Sequence, residues 1–281
     1  MFEEKYEVIN EKNETDYLCV FKARKKESQE IVFGKKFFFS EDKQEYLIIE
    51  DVLKDSLKVL KDIHHPNIIE LIDLIKVFKE NTRYYYCIYQ YLNGGNLDDY
   101  LKNKNKSLNE EEVQHIMKQL VEAVKYLQNK KIVHRDIKPQ NIFIQYESEK
   151  DLLEKNILKA KIKLSGFEFS SHIKPGEFLG IIIGTPDYIA PEIEEHRPYN
   201  EKVDIWSLGA TFCKLLSCEI HFDIIKPENH TQLKYFPNLS KEANSFIQGM
   251  LREEPEKRKS ADELSKHDFL IKDVKNFSFV N

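Results

Sequence analysis

Residues 133–141 read VHRDIKPQN, and the organisation of the chain can be read outward from them. Upstream, Val113, Ile116, Met117, Leu120, Val121, Val124 and Leu127 recur at helical spacing, which predicts a long helix with one wide apolar face. Ser107 with Glu110 offers a capping box at its start. Ahead of NGGNL (93–97) the pattern differs: YEVIN (6–10), YLCVFKAR (17–24), EIVFGKKFFF (30–39) and YYYCIYQYL (84–92) are β-branched and aromatic runs between charged turns, as in an antiparallel sheet. One helical pattern interrupts them over residues 44–63, with Leu53, Leu57, Leu60 and Ile63 in phase. Downstream, a strand-and-loop stretch (131–190) carries KLSGFEFS (163–170) and GTPDYIAPE (184–192). Then come DIWSLGATFCKLLSC (204–218), apolar on nearly all sides as a buried helix would be, and helical stretches near 240–251 and 260–269. YESEKDLLEKNILKAK (146–161) reads as a charged, solvated insertion. The expected class is α+β, a sheet with one helix followed by a mainly helical body.

With 281 residues, 41% of them hydrophobic, the chain can build one large or two modest cores. Lys plus Arg (43) nearly balance Asp plus Glu (48), so the net charge of -5 points to neither nucleic acid nor an anionic membrane. Cys19, Cys87, Cys213 and Cys218 have neither metal-ligand spacing nor the density of a secreted disulfide scaffold, and are expected as reduced buried thiols. MFEEKYEVINEK (1–12) is acidic and polar where a signal peptide is basic and then apolar, and no apolar run reaches the roughly 18 residues of a membrane span. The expected location is the cytoplasm or the nucleus.

VFGKK (32–36), HHPNIIEL (64–71), VHRDIKPQN, GTPDYIAPE, DIWSLG (204–209) and PEKRKSADELSKHDFL (255–270) occur in the order and spacing of the eukaryotic protein kinase family, which the chain resembles over almost its whole length. The resemblance implies a single domain, 1–281, in two lobes: a small one over 1–91, ending in a hinge near Gln90 and Leu92 that meets the nucleotide, and a large one over 92–281. It implies ATP and magnesium as cofactors. Lys138, two residues after Asp136, is similar to the serine/threonine branch, and HRDIKPQN with GTPDYIAPE looks most like the calmodulin-dependent and related groups. No calmodulin-binding tail or appended regulatory domain is expected after KHDFL.

Phosphoryl transfer asks the protein to position phosphates, metal and hydroxyl and to neutralise charge. By resemblance, Asp136 would be the base, Lys138 would steady the transferring group, Asn141 would hold a metal and Lys35 would meet the phosphates. His134, Arg135, Phe167 and Asp204 would organise the large lobe, and Glu192 with Arg258 would form a partly buried bridge. The alternative is that the whole 134–141 loop is kept for architecture alone.

Other positions depart from the family pattern. Asn13, Thr15 and Leu18 stand at the three glycine positions of the phosphate-covering loop, where side chains would crowd it away. Ser56 stands where a helix glutamate would pair with Lys35, and neighbouring Asp55 points about 100° away. Phe33 replaces the alanine that lines the purine pocket and would fill much of it, with Tyr89 adding bulk behind. Gly166 stands at the metal-binding aspartate and offers no ligand. A two-residue slip would instead make Glu168 a surrogate. GIII (180–183) lacks the usual phosphoacceptor, leaving Ser170, Ser171 and Thr185, and leaving Arg135 without a phosphate to order the segment; FLGIII (178–183) would pack inward or bind a partner.

Three functions stay open at this stage. The first is a pseudokinase that works by binding a protein, such as an active kinase. The second is an ATP- and magnesium-dependent serine/threonine kinase using Asp136, Lys138 and Asn141, with Glu168 as an optional surrogate metal ligand. The third is a nucleotide binder without metal or turnover.

Overall fold

The computed structural model describes all residues except 1, 44–45, 105–106, 175, 218–235 and 280–281; Cys218 therefore lies outside the described residues. The chain divides into two compact units, residues 1–64 with 69–93, and residues 65–68 with 94–281.

In the first unit the alternating runs form a five-stranded antiparallel sheet in the order β1-β2-β3-β5-β4. Its strands are β1 (Tyr6–Thr15), β2 (Leu18–Lys25), β3 (Ile31–Ser40), β4 (Leu71–Lys79) and β5 (Thr82–Gln90). β4 has no counterpart among the strands read from sequence, because Leu71, Leu74, Ile75 and Phe78 also fit a helical period. The decisive feature is the turn after it: Glu80 and Asn81 both take positive φ (50° and 58°), the two-residue geometry that folds β5 back along β4.

Alternation gives the sheet two faces. On one, the short helix α1 (Phe2–Lys5) brings Phe2 over Tyr6, Phe21, Ala23, Val32 and Ile88, its ring stacked 4.3 Å from Tyr86. Gly34 permits this: a Cβ there would lie 2.1 Å from Cζ of Phe21, whose ring crosses β3 at that point. The other face bears Tyr85, which meets the helix α2 (Leu47–Lys61) through Glu50. α2 is shorter than the 44–63 pattern, and Val52, Leu53, Leu57 and Leu60 on it are buried.

The second unit is built on α4 (Glu110–Asn129), whose seven expected apolar positions are all fully buried. Each such side chain contributes about 1.5–3 kcal/mol relative to exposure. The capping box is not Ser107 with Glu110. Asn109 accepts from the Glu112 amide and Glu112 accepts from the Asn109 amide (2.9 and 3.0 Å), so the helix starts two residues later than that reading. Glu110 is thereby released to bind the amide and hydroxyl of Ser240 at 2.8 and 2.6 Å.

Around α4 lie α3 (Leu97–Lys104), the paired strands β6 (Ile132–Val133) with β9 (Ser171–His172), and β7 (Ile142–Gln145) with β8 (Lys161–Leu164). The charged insertion is only partly a solvated excursion. Ser148 caps α5 (Glu149–Glu154), leaving Leu153 83% exposed, yet Tyr146, Ile157 and Ala160 bury themselves beside it. Then follow α6 (Pro191–Glu194), the buried α7 (Lys202–Ser217), α8 (Lys241–Met250), and two short helices, α9 (Ala261–Ser265) and α10 (Asp268–Ile271), where one stretch over 260–269 was expected. His267 divides them by capping α10, its ring accepting from the Phe269 amide. Phe212, Phe246 and Phe269 join α7, α8 and α10, with ring centroids 5.1–5.4 Å apart. Cys19, Cys87 and Cys213 are buried thiols outside any disulfide, and among the described residues no helix is long and apolar enough to cross a membrane.

Candidate active site

The stretch 134–141 runs from the end of β6 to the start of β7, and a carboxylate inside α7 shapes it. Asp204, wholly buried, accepts from the amides of His134 (2.8 Å) and Arg135 (2.9 Å). Burial pushes its carboxyl up to about 6, against the pull of those two amides and the Arg135 charge. Arg135 is bent into the left-handed region (φ 71°), a strained conformation that this grip sustains. The His134 ring accepts from the Asp136 amide at Nδ1 (3.2 Å) and donates from Nε2 to the Ser165 carbonyl (2.9 Å), which assigns the neutral Nε2–H tautomer. Its edge meets the buried ring of Phe167, centroids 4.5 Å apart.

Asp136 is 6% exposed and its two oxygens are both engaged. Oδ1 accepts from the Thr185 hydroxyl (2.7 Å), while Oδ2 accepts from the Asn141 amide (2.7 Å) and pairs with Lys138 (3.0 Å). Lys138 also donates to Thr185, closing a ring of contacts. The same Asn141 nitrogen reaches the Asp136 carbonyl at 2.8 Å. Thus Asp136, Lys138 and Asn141 are brought together as the sequence suggests, and Thr185 joins them as a hydroxyl donor; its place in GTP, ahead of DYIAPE, was the available signal.

Pairing of Ile142 with Leu164 and Phe143 with Lys163 sets the register of the next turn, and the Ser165 amide donates to the Asn141 carbonyl at 2.8 Å. The residue facing Asn141 is therefore Gly166, with φ 85° and ψ 37°. A Cβ on it would lie 2.3 Å from both Cγ and Nδ2 of Asn141. That amide is the end of a side chain, but its two bonds to Asp136 hold it where it is. Glu168 follows in the turn Phe167–Phe169, partly exposed.

Glu192 and Arg258 form a bidentate pair (2.6 and 2.7 Å) with side chains 1% and 0% exposed, deeper than a partly buried bridge. Arg258 further donates to the Arg252 carbonyl and lies 5.1 Å from the Trp206 ring centre.

In the first unit, Asn13 and Thr15 lie in β1 and pair with Cys19 and Leu18 across a tight hairpin. Phe33 sits opposite Tyr89, ring centroids 6.3 Å apart, and Lys35, 8% exposed, is in register with Cys87. Gln90 closes β5 and Leu92 is buried two residues on. Ser56 is fully buried and donates to the Leu53 carbonyl of its own helix (2.8 Å), while Asp55 points to solvent and pairs with Lys58.

Sequence reading missed the principal charge cluster of this unit. Glu50, fully buried, accepts from Arg83 Nε (2.7 Å) and Nη2 (3.0 Å) and from the Tyr85 hydroxyl (2.7 Å), with Lys54 at 3.3 Å. Burial pushes its carboxyl up, but hydrogen bonds from Arg83, Tyr85 and Lys54 outweigh this and hold it below its ordinary value. A glutamate in phase with Leu53 and Leu57 was the signal for it.

Comparison with known proteins finds a family model, the protein kinase domain, matching residues 14–270. The serine/threonine-protein kinase TIO of Arabidopsis thaliana is 33% identical over 274 residues, 95% of this chain and 19% of that protein. The serine/threonine-protein kinase atg1 of Dictyostelium discoideum is 30% identical over 78% of this chain and 32% of its own length. The human calcium/calmodulin-dependent protein kinase type 1B is 31% identical over 78% of this chain, which spans 62% of that protein.

Proposed function

Since this chain belongs to the protein kinase domain family, with serine/threonine kinases as relatives, we propose that it keeps the kinase fold without the metal-dependent chemistry and acts by binding a protein partner. One observation carries the reading: the space where a residue at position 166 would extend a carboxylate is filled by the Asn141 amide, itself bound to Asp136. Magnesium takes oxygen ligands in near-octahedral array, and in the family the carboxylate at the position of Gly166 and the amide of Asn141 would hold it. Here that carboxylate is a glycine and the Asn141 amide is turned onto Asp136, whose own oxygens accept from Thr185, Asn141 and Lys138, so these residues do not fit the ion. Phe33 beside Tyr89, and Ser56 bonded within its own helix, support the same reading for the nucleotide. The partner is a protein, with an active kinase as first candidate, which this chain would bias through contacts that favour one of its conformations.

The alternative is a serine/threonine kinase of low turnover, favoured by the intact contacts among Asp136, Lys138 and Thr185. Thermal unfolding with ATP or ADP, each with magnesium or chelator, separates the two. A ligand at a hundred times its Kd stabilises by about 2.7 kcal/mol. The proposal expects no magnesium-dependent shift in the native chain and a gain of nucleotide binding in Phe33→Ala. A magnesium-dependent shift lost in Lys35→Met would sink the closed-pocket reading and pass the kinase alternative to a phosphorylation assay with Asp136 and Glu168 mutated.

A further inference from the structure

GIII, residues 180–183, has no hydroxyl, so the segment between β9 and α6 cannot carry a phosphate at that place. Its backbone is nevertheless held. The amide of Leu179 donates to the Tyr199 carbonyl (2.8 Å) and the amide of Tyr199 returns a bond to the Leu179 carbonyl (2.9 Å). The hydroxyl of Tyr199, a residue 2% exposed, donates to the Ile181 carbonyl at 2.7 Å. Arg135, whose cation would be the counter-ion for a phosphate, is 6% exposed and already donates from Nε to the Phe169 carbonyl (2.5 Å) and from Nη1 to the Tyr199 oxygen (3.4 Å). The hydroxyls flanking the segment are also engaged. Ser170 donates to the Phe167 carbonyl (2.7 Å), Ser171 to the His172 carbonyl (3.1 Å) and Thr185 to Asp136 (2.7 Å).

We propose that Tyr199 is a built-in clamp that fixes residues 179–181 without phosphorylation, using neutral hydrogen bonds where a phosphate and Arg135 would otherwise form an ion pair. The clamp grips backbone and leaves Phe178, Ile181 and Ile182 turned outward, 62%, 46% and 52% exposed. The segment is thus set when the chain folds instead of being switched by a modifying enzyme. This holds whether or not the protein transfers phosphate, since none of its contacts involves nucleotide or metal.

Amide hydrogen exchange on the full chain tests it. Phosphatase treatment should leave exchange at Leu179 and Tyr199 unchanged, whereas Tyr199→Phe should speed exchange at Leu179 by roughly five- to tenfold, as loss of one or two neutral hydrogen bonds predicts, with α4 unaffected. Should Tyr199→Phe disturb α4 as well, Leu179→Pro, which removes one backbone bond and keeps the tyrosine, should speed exchange at Tyr199 instead. Protection that falls on phosphatase treatment, or that survives whichever variant leaves α4 intact, would overturn the clamp.

Discussion

Two neighbouring stretches of the second unit, 133–141 and 163–170, have fared differently. The first keeps every side chain that its resemblance to the kinase loop requires, and its central polar groups are tied to the protein itself: the His134 and Arg135 amides to Asp204, and Asp136 to Thr185, Lys138 and Asn141. The second keeps its packing ring, Phe167, but has glycine at the position that faces Asn141. The difference teaches that the loop's architecture and the loop's chemistry rest on separable residues. An intact HRD stretch is therefore weak testimony to catalysis, because buried and satisfied polar networks are costly to dismantle in any case.

The contrast can be broken most forcefully at the architectural end. Arg258→Ala leaves Glu192 as an uncompensated buried charge, and should cost about 3–5 kcal/mol in urea unfolding; a loss below about 1 kcal/mol would show that this lobe does not depend on its buried pairs.

The Asp204 support gives the next effect. Its folded pKa, about 6, lies above its ordinary 3.8, so its contribution to stability is full below pH 4 and is lost as pH rises through 6. The stability difference between the native chain and Asp204→Asn should accordingly move against the native chain by on the order of 2–3 kcal/mol between pH 4 and 7. Urea midpoints at four pH values measure it, and a flat difference would mean that the loop's two amides hold the carboxylate ionised throughout.

Smallest is the effect at the altered turn. Gly166→Ala meets both a left-handed backbone and the Asn141 amide, and should cost about 1–3 kcal/mol. Part of that should return when Asn141→Ala is added, whereas strictly additive losses would show that the amide does not fill the glycine's space.

These residues also mark how far the sequence could be read. Order and spacing of motifs carry the resemblance to the kinase fold, while helix α4 and the buried α7 follow separately from apolar periodicity. The start of α4 was ambiguous because Ser107 and Asn109 each precede a glutamate by three, and only the competing bond from Glu110 to Ser240 settles which is used. β4 was lost to a period that suits helix and strand alike. Gly166 was legible as a missing carboxylate, but not as a position closed by Asn141, because a side chain's turn toward Asp136 depends on strand register. Glu50 was overlooked because a charged residue on an apolar face looks like an exception until Arg83 and Tyr85 are placed beside it.

The most direct test of the claim that the loop survives for architecture is phosphoryl transfer itself. The native chain and Asp136→Asn would be incubated with labelled ATP and magnesium or manganese, alone and with a basic acceptor protein. The account predicts the same background incorporation for both. Time-dependent labelling by the native chain that Asp136→Asn lacks would contradict it, and would mean that a metal is held without a carboxylate at position 166.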